Sequence, residues 1–305
     1  MRCTLFFLLL FFSGPGIRAQ QPDTSIFHFP LQMDEITVQA SKSGFDVADF
    51  IRRVQTDTTF YKAFRSLRIT PHAIENDIKV FDKKGKVAAS LHSHTLQSVS
   101  NGCRSMRTEK EQTTGRFYKR NGDYRYYTAS LYAYLFFTEG KVCGETDIVK
   151  GSLEARESGG LGKSKYQLKQ LMFNPGSKVQ GVPFMGDRAA IFEPSQSRKY
   201  DFKLLSVALN GEDCWLFQAV PKPEYLRDVV YNEFSTWFRK SDYAILARNY
   251  ALSFSTAVYD FDVRIKARMT QAQGRLLPLR LDYEGNWRVV TKGRERAKFT
   301  AIFEY

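Results

Sequence analysis

From Ile74 onward the chain alternates apolar and polar residues with a period of two, and turn residues interrupt the alternation at short intervals. Ile78-Lys79-Val80-Phe81 runs into Asp82-Lys83-Lys84-Gly85 and returns as Val87–Leu91, a hairpin signal. The last third repeats the device. Phe202–Leu209 and Cys214–Val220 flank Asn210-Gly211, and Phe234–Arg239 and Tyr243–Phe254 flank Lys240-Ser241-Asp242. Val258–Met269 and Leu276–Asp282 flank Gln273-Gly274, and Ala297–Phe303 closes the chain. Successive hairpins without a crossover helix predict an antiparallel meander. Two further strand-like runs lie near Arg104–Glu111 and Gly115–Arg120.

Helical spacing appears before the sheet. Asp46 can cap a helix carrying Val47, Phe50, Ile51 and Val54, and Asp57 a second turn set carrying Phe60, Tyr61, Phe64 and Leu67, which stops before Pro71. A short helix from Lys165 to Phe173 ends at Asn174-Pro175-Gly176, after a Gly- and charge-rich loop over 151–165. Tyr126–Thr138 is apolar all round, so periodicity leaves a buried helix and a buried strand both open. The expected fold is α+β: a large curved antiparallel sheet, half-barrel-like, with an N-terminal helix and one or two short helices. It forms a single domain over 45–305, behind an extended leader, 20–44, with one strand-like stretch at Asp34–Ala40.

The first nineteen residues follow a different pattern. Arg2 precedes an apolar run from Leu5 to Phe12, then come Gly14-Pro15-Gly16 and a small residue, Ala19. This is the order of a secretory signal peptide (1–19) cleaved after Ala19, too short in its apolar run to span a bilayer. No cysteine directly follows that run, so no lipoprotein anchor is expected. The expected location is exported, in the periplasm or at the outer-membrane periphery.

Export changes how the charge and the cysteines read. The formal net charge is +13. Outside the cell, nucleic acid is not the expected partner; the positive surface suits peripheral contact with anionic lipid headgroups, or simply solvates the outer faces of strands. Three cysteines follow the signal peptide, and an oxidising compartment permits one disulfide. Cys103 and Cys143 lie in polar, Gly-flanked contexts and form the candidate pair, whereas Cys214 sits in an apolar strand as a small hydrophobe.

The helix laid before a long meander, with Thr236-Trp237-Phe238-Arg239-Lys240-Ser241-Asp242-Tyr243 as a Trp-centred strand–turn–strand, resembles the LolA/LolB-like lipoprotein-carrier superfamily. The texture is also similar to envelope proteins of Bacteroidota-type bacteria. The resemblance implies a half-barrel around an apolar cavity that holds acyl chains. It carries over no ligand-binding residue, and the long 100–200 segment departs from the family.

Catalytic chemistry finds little footing. Gly159-Gly160-Leu161-Gly162-Lys163-Ser164 imitates a phosphate loop, but Glu157 stands where that loop requires glycine. His92-Ser93-His94 projects two imidazoles from one strand face. A two-residue Lys84-Gly85 turn sets His92 against Asp77 and His94 against Glu75; a four-residue turn sets His92 against Glu75. Either could seat a divalent metal, but Val87, Ala89 and Leu91 claim the core side and make the histidine face the solvent face. No nucleophile elbow occurs. No catalytic residue, cofactor or metal site is therefore expected. The sixteen tyrosines and twenty-five phenylalanines suit either an ordinary core or an apolar ligand cavity.

Two features point at the outer membrane. Asp34–Ala40 is similar to the TonB-box-like stretch of outer-membrane receptors, and Phe299–Tyr305 alternates and ends on an aromatic as barrel strands do. The expected function is thus a non-enzymatic envelope module that binds an apolar or amphipathic ligand, such as a lipid or a lipoprotein acyl chain. The alternatives are a small outer-membrane barrel or an envelope hydrolase.

Overall fold

The computed structural model describes residues 47–148, 169–179, 185–255, 259–289 and 292–305. The signal peptide, the Asp34–Ala40 stretch and the Gly159–Ser164 loop lie outside them. Two helices, α1 (Val47–Thr56) and α2 (Thr59–Ser66), lead through a 3-10 turn at Leu67–Ile69 into β1 (His72–Phe81). Next come β2 (Val87–Ser100), β3 (Cys103–Gly115), helix α3 (Tyr127–Phe136) and β4 (Lys141–Cys143). Residues 169–173 are helical, as expected. The second run of strands is β5 (Tyr200–Leu209), β6 (Glu212–Pro221), β7 (Tyr231–Arg239), β8 (Ile245–Ser255), β9 (Tyr259–Ala272), β10 (Arg275–Val289) and β11 (Lys292–Glu304).

All eleven strands form one sheet in the order β4-β3-β2-β1-β11-β10-β9-β8-β7-β6-β5. Every neighbouring pair is antiparallel, so the expected α+β meander is what the chain builds. The chain starts in the middle of the sheet, runs out to β4, reappears at the opposite edge as β5 and winds back until β11 pairs with β1. The sheet is open, with β4 and β5 as its two ends, and is not a closed barrel.

Turn chemistry sets the registers. Asn210-Gly211 and Gln273-Gly274 both place two residues at positive φ, the backbone a two-residue hairpin needs to match strand twist. The β1–β2 register pairs Glu75 with His94 and Asp77 with His92, the first of the two alternatives above. One difference lies after β3. The runs near Arg104–Glu111 and Gly115–Arg120 are not two strands. The first belongs to β3, which ends at Gly115, and the second is a turn region held by a Tyr118–Tyr124 bridge. Gly115 has φ +63°, and a Cβ there would sit 2.1 Å from the Ala88 carbonyl oxygen, so no side chain fits at that corner.

Alternation divides the sheet into two faces. The inner face carries Ile74 and Ile78 of β1, Leu91 of β2, Phe299 and Phe303 of β11, Tyr283 of β10 and Ile265 of β9, all buried. Tyr283 stacks on Phe299 with ring centroids 4.5 Å apart and folds back over Gly285, where a Cβ would come 2.0 Å from its hydroxyl. Helix α3 resolves the Tyr126–Thr138 ambiguity: it packs on this face, burying Leu131, Tyr132, Leu135 and Phe136. Its N-terminus is held by a strand residue. The Glu295 carboxylate accepts the Tyr127 and Thr128 backbone N–H groups at 2.9 and 2.7 Å.

Candidate functional site: the covered aromatic interior

The space between helices and sheet is filled by rings. Phe64 of α2 stacks on Phe173 at 4.0 Å, Phe173 meets Phe136 of α3, and Phe136 meets Phe299 and Phe303 of β11. Toward the β5 edge the chain of contacts continues through Tyr250, Tyr231, Phe234, Phe217 and Phe202. Burial pushes the hydroxyls of Tyr132 and Tyr250 well above the ordinary tyrosine range, so both stay protonated donors. Tyr132 donates to Asn76 Oδ1 at 2.6 Å and Tyr250 to the Met172 carbonyl.

A buried cation, Arg248, lies inside this aromatic layer. Arg248 of β8 is 5 % exposed. Its guanidinium is held between Phe60 of α2, 4.5 Å from the ring centroid, and Phe234 of β7, at 5.6 Å. Its Nε donates to Thr236 Oγ1 at 3.0 Å, and a terminal nitrogen lies 3.6 Å from Asp57 Oδ2. Asp57 is the elbow between α1 and α2. Its Oδ1 accepts from the Thr59 N–H and hydroxyl, while buried Oδ2 has no hydrogen-bond partner. Desolvation pulls the Arg248 pKa down and the nearby Asp57 carboxylate pushes it back up. A buried ion pair of this kind contributes little to stability, but leaving either partner alone is costly.

The far end of α2 is fixed differently. Arg68 donates to Glu145 Oε1 at 2.7 Å, and Arg104 of β3 donates to the same carboxylate from Nε. Burial raises the Glu145 pKa, but hydrogen bonds from Arg104 and Arg68 outweigh it and hold the carboxyl below the usual range. Arg65 donates to the Thr146 carbonyl and Ser66 to Asp147. That segment is tied covalently to β3, because Cys103 and Cys143 form the expected disulfide. Cys214 is a buried free thiol, also as read from its apolar context. The helical cover is therefore stitched down at its β1 end. At the α1–α2 elbow the described residues show ring packing and the Arg248–Asp57 ion pair; Phe50 of α1 meets Phe238 edge-on at 5.3 Å.

The histidine pair lies elsewhere, on the outer face. His94 Nδ1 is 2.6 Å from Glu75 Oε1, its Nε2 is 3.6 Å from Glu109, and His92 is 3.8 Å from the other Glu75 oxygen. His94 thus has Glu75 within hydrogen-bond distance of one ring nitrogen and Glu109 farther off beside the other. No group of three or more His, Cys, Asp or Glu placed to hold a metal occurs among the described residues. A cleft of about 470 Å³ on the outer side is lined by Arg264, Arg296, Lys298, Asp262 and Glu284, with Phe81, Gly285 and Ala297 between them.

Sequence reasoning did not single out Arg248, though a signal was there. In Arg248-Asn249-Tyr250-Ala251-Leu252-Ser253-Phe254 the even positions are otherwise apolar, so alternation alone places the guanidinium inward.

No family model matches the chain, and no curated protein matches its sequence. Among solved structures it is similar to a LolA superfamily protein from Nitrosomonas europaea, at 10 % identity over 81 % of this chain and 91 % of that one, with a TM-score of 0.23. It is also similar to a DUF1329 family protein from Desulfovibrio piger, at 12 % identity, 81 % and 92 % coverage and a TM-score of 0.24. A third is an outer membrane lipoprotein-sorting protein domain from Vibrio parahaemolyticus, at 9 % identity, 80 % and 90 % coverage and a TM-score of 0.23. The structural neighbours are thus LolA superfamily, DUF1329 and lipoprotein-sorting proteins, and no ligand or activity is carried over from them.

Proposed function

We propose that this chain is an exported, non-enzymatic envelope protein that takes up an apolar or amphipathic ligand, a lipid or lipoprotein acyl chain, between its helices and its sheet. The observation that carries the reading is the unequal fastening of the cover. The disulfide-tied Glu145 network fixes one end of α2, whereas the α1–α2 elbow rests on aromatic contacts and on the Arg248–Asp57 pair. Rotation of α1 and α2 together about that fixed end exposes Phe50, Phe60 and Phe64 opposite β7–β10. It also frees Arg248 to meet a carbonyl or phosphate oxygen at the head of the incoming chain. An aromatic layer that separates in this way offers a long, narrow apolar space without a permanent cavity.

The test is uptake of a fluorescent fatty acid by the purified protein, with native mass spectrometry for co-purifying lipid. Phe50→Cys and Phe238→Cys, introduced together with Cys214→Ser and oxidised, lock α1 to β7. The reading expects one bound acyl ligand per chain and its exclusion by the lock, with each single-cysteine control still binding. Absence of binding in every form, with no co-purifying lipid, overturns it.

A further inference from the structure

Alternation sends Arg264 of β9, Glu284 of β10, Lys298 of β11 and Lys79 of β1 to the outer face, and the registers set them side by side in one row. The next row toward the β1–β2 turn holds Asp262, Asn286, Arg296 and Phe81. Glu284 stands between two cations and pairs with one, its carboxylate 3.0 Å from Lys298 Nζ. Lys79 goes to Asp77 at 2.8 Å. Arg264 and Arg296 are both exposed on the cleft, on either side of β10, and neither has an ion-pair partner among the described residues. Lys79 and Lys298, directly opposite each other on β1 and β11, add a like-charge contact.

The β1–β2 turn deepens the imbalance. Gly85 of that turn lines the same cleft, and Lys83, Lys84 and Lys86 beside it are all exposed. The acid of the turn is engaged with the backbone: Asp82 Oδ1 accepts the Lys84 and Lys86 N–H groups at 2.8 and 2.9 Å. The three ammonium groups have no ion-pair partner among the described residues. Phe81 and Val87 face each other across the hairpin, and Val87 is 50 % exposed, so an apolar patch lies within the cationic field. Repulsion among these cations opposes folding, and an anionic partner relieves it.

We propose that this end of the outer face docks on an anionic phospholipid bilayer. Arg264 and Arg296 reach over β10 from strands about 10 Å apart and together take one headgroup phosphate, for which the guanidinium fork is the fitting donor. The cleft, about 470 Å³, admits one such headgroup. The lysines of the turn meet neighbouring headgroups, and Val87 enters the interface beside them. Unpaired cations extend from the cleft to the tip of the hairpin, a spread that a surface of many headgroups matches and a single small anion does not.

The test is co-sedimentation of the purified protein with vesicles of phosphatidylcholine alone and with vesicles of equal parts phosphatidylcholine and phosphatidylglycerol. The protein binds the anionic vesicles far better than the neutral ones and leaves them as salt rises. Arg264→Gln with Arg296→Gln lowers partition onto the anionic vesicles about twentyfold, at about fivefold per cation. Lys83→Gln with Lys84→Gln lowers it by a similar factor. Lys141→Gln with Arg275→Gln removes the same charge from exposed positions at the opposite end of the sheet and leaves partition nearly unchanged. Acyl uptake does not enter the comparison, because both kinds of vesicle carry the same acyl chains. An equal loss in the opposite-end pair reduces the attraction to net charge and overturns the proposal. So does equal binding to neutral and anionic vesicles, and so does binding to neither.

Discussion

The Tyr132 hydroxyl donates to Asn76 Oδ1 at 2.6 Å, joining the middle of α3 to the middle of β1 in a fully buried contact. The Asn76 amide nitrogen is shared among the Ile74 and Ser93 carbonyls and the Ser93 and Thr95 hydroxyls. Tyr132→Phe strands the Asn76 oxygen without a donor and lowers stability by about 1–3 kcal/mol. Urea denaturation measures it. A loss indistinguishable from zero means that another donor reaches Asn76.

His72 makes stability depend on pH. Burial pushes its pKa down to about 4, with Nδ1 turned toward the Thr70 carbonyl at 2.8 Å and Nε2 buried without a partner. The unfolded chain takes up this proton near pH 6.5, the folded chain only near 4. Stability is therefore full above about pH 6.5, falls as the pH drops toward 4 by up to about 3 kcal/mol, and then levels off. In His72→Asn, denaturation midpoints measured between pH 7 and 4 lose that part of the slope.

Arg248 and Asp57 behave as a unit. Arg248→Met alone leaves a buried carboxylate unpaired and costs about 3–5 kcal/mol. Adding Asp57→Asn removes the orphaned charge and recovers part of the loss. A double-mutant cycle by chemical denaturation reads the coupling, and strictly additive losses count against the pairing.

The Cys103–Cys143 bridge spans 40 residues and restrains the unfolded chain between β3 and β4. Replacing both cysteines by serine lowers stability by about 4 kcal/mol. It also loosens Glu145 from Arg104, so hydrogen exchange in the Glu145–Asp147 segment accelerates more than in β9 or β10.

Much of this molecule was legible in its sequence. The hairpins around Asn210-Gly211, Lys240-Ser241-Asp242 and Gln273-Gly274 were readable because turn residues and alternation agree there. The helices at α1 and α2 announced themselves through Phe50, Val54, Phe60 and Phe64 at helical spacing. The Tyr126–Thr138 stretch was not decidable, because its residues are apolar or aromatic on the half-buried side as well as the buried one, which erases the periodicity. What decides it is Glu295, more than 160 residues away, whose carboxylate satisfies the helix N-terminus. The Arg68–Glu145–Arg104 network was invisible for a similar reason: its members come from three separate stretches that only the folded sheet brings together. Trp237 was noticed as the centre of a strand, but the face it occupies depends on the β7–β8 register.

The final strand, β11, is not at an edge of the sheet but near its centre, between β1 and β10. The pairing of Ile78 with Phe299 joins positions more than 200 residues apart. On a chain made from its N-terminus, β1 has only β2 beside it until β11 has been synthesised. The two halves of the meander cannot become one sheet before then. Loss of β11 divides the sheet in two instead of trimming it.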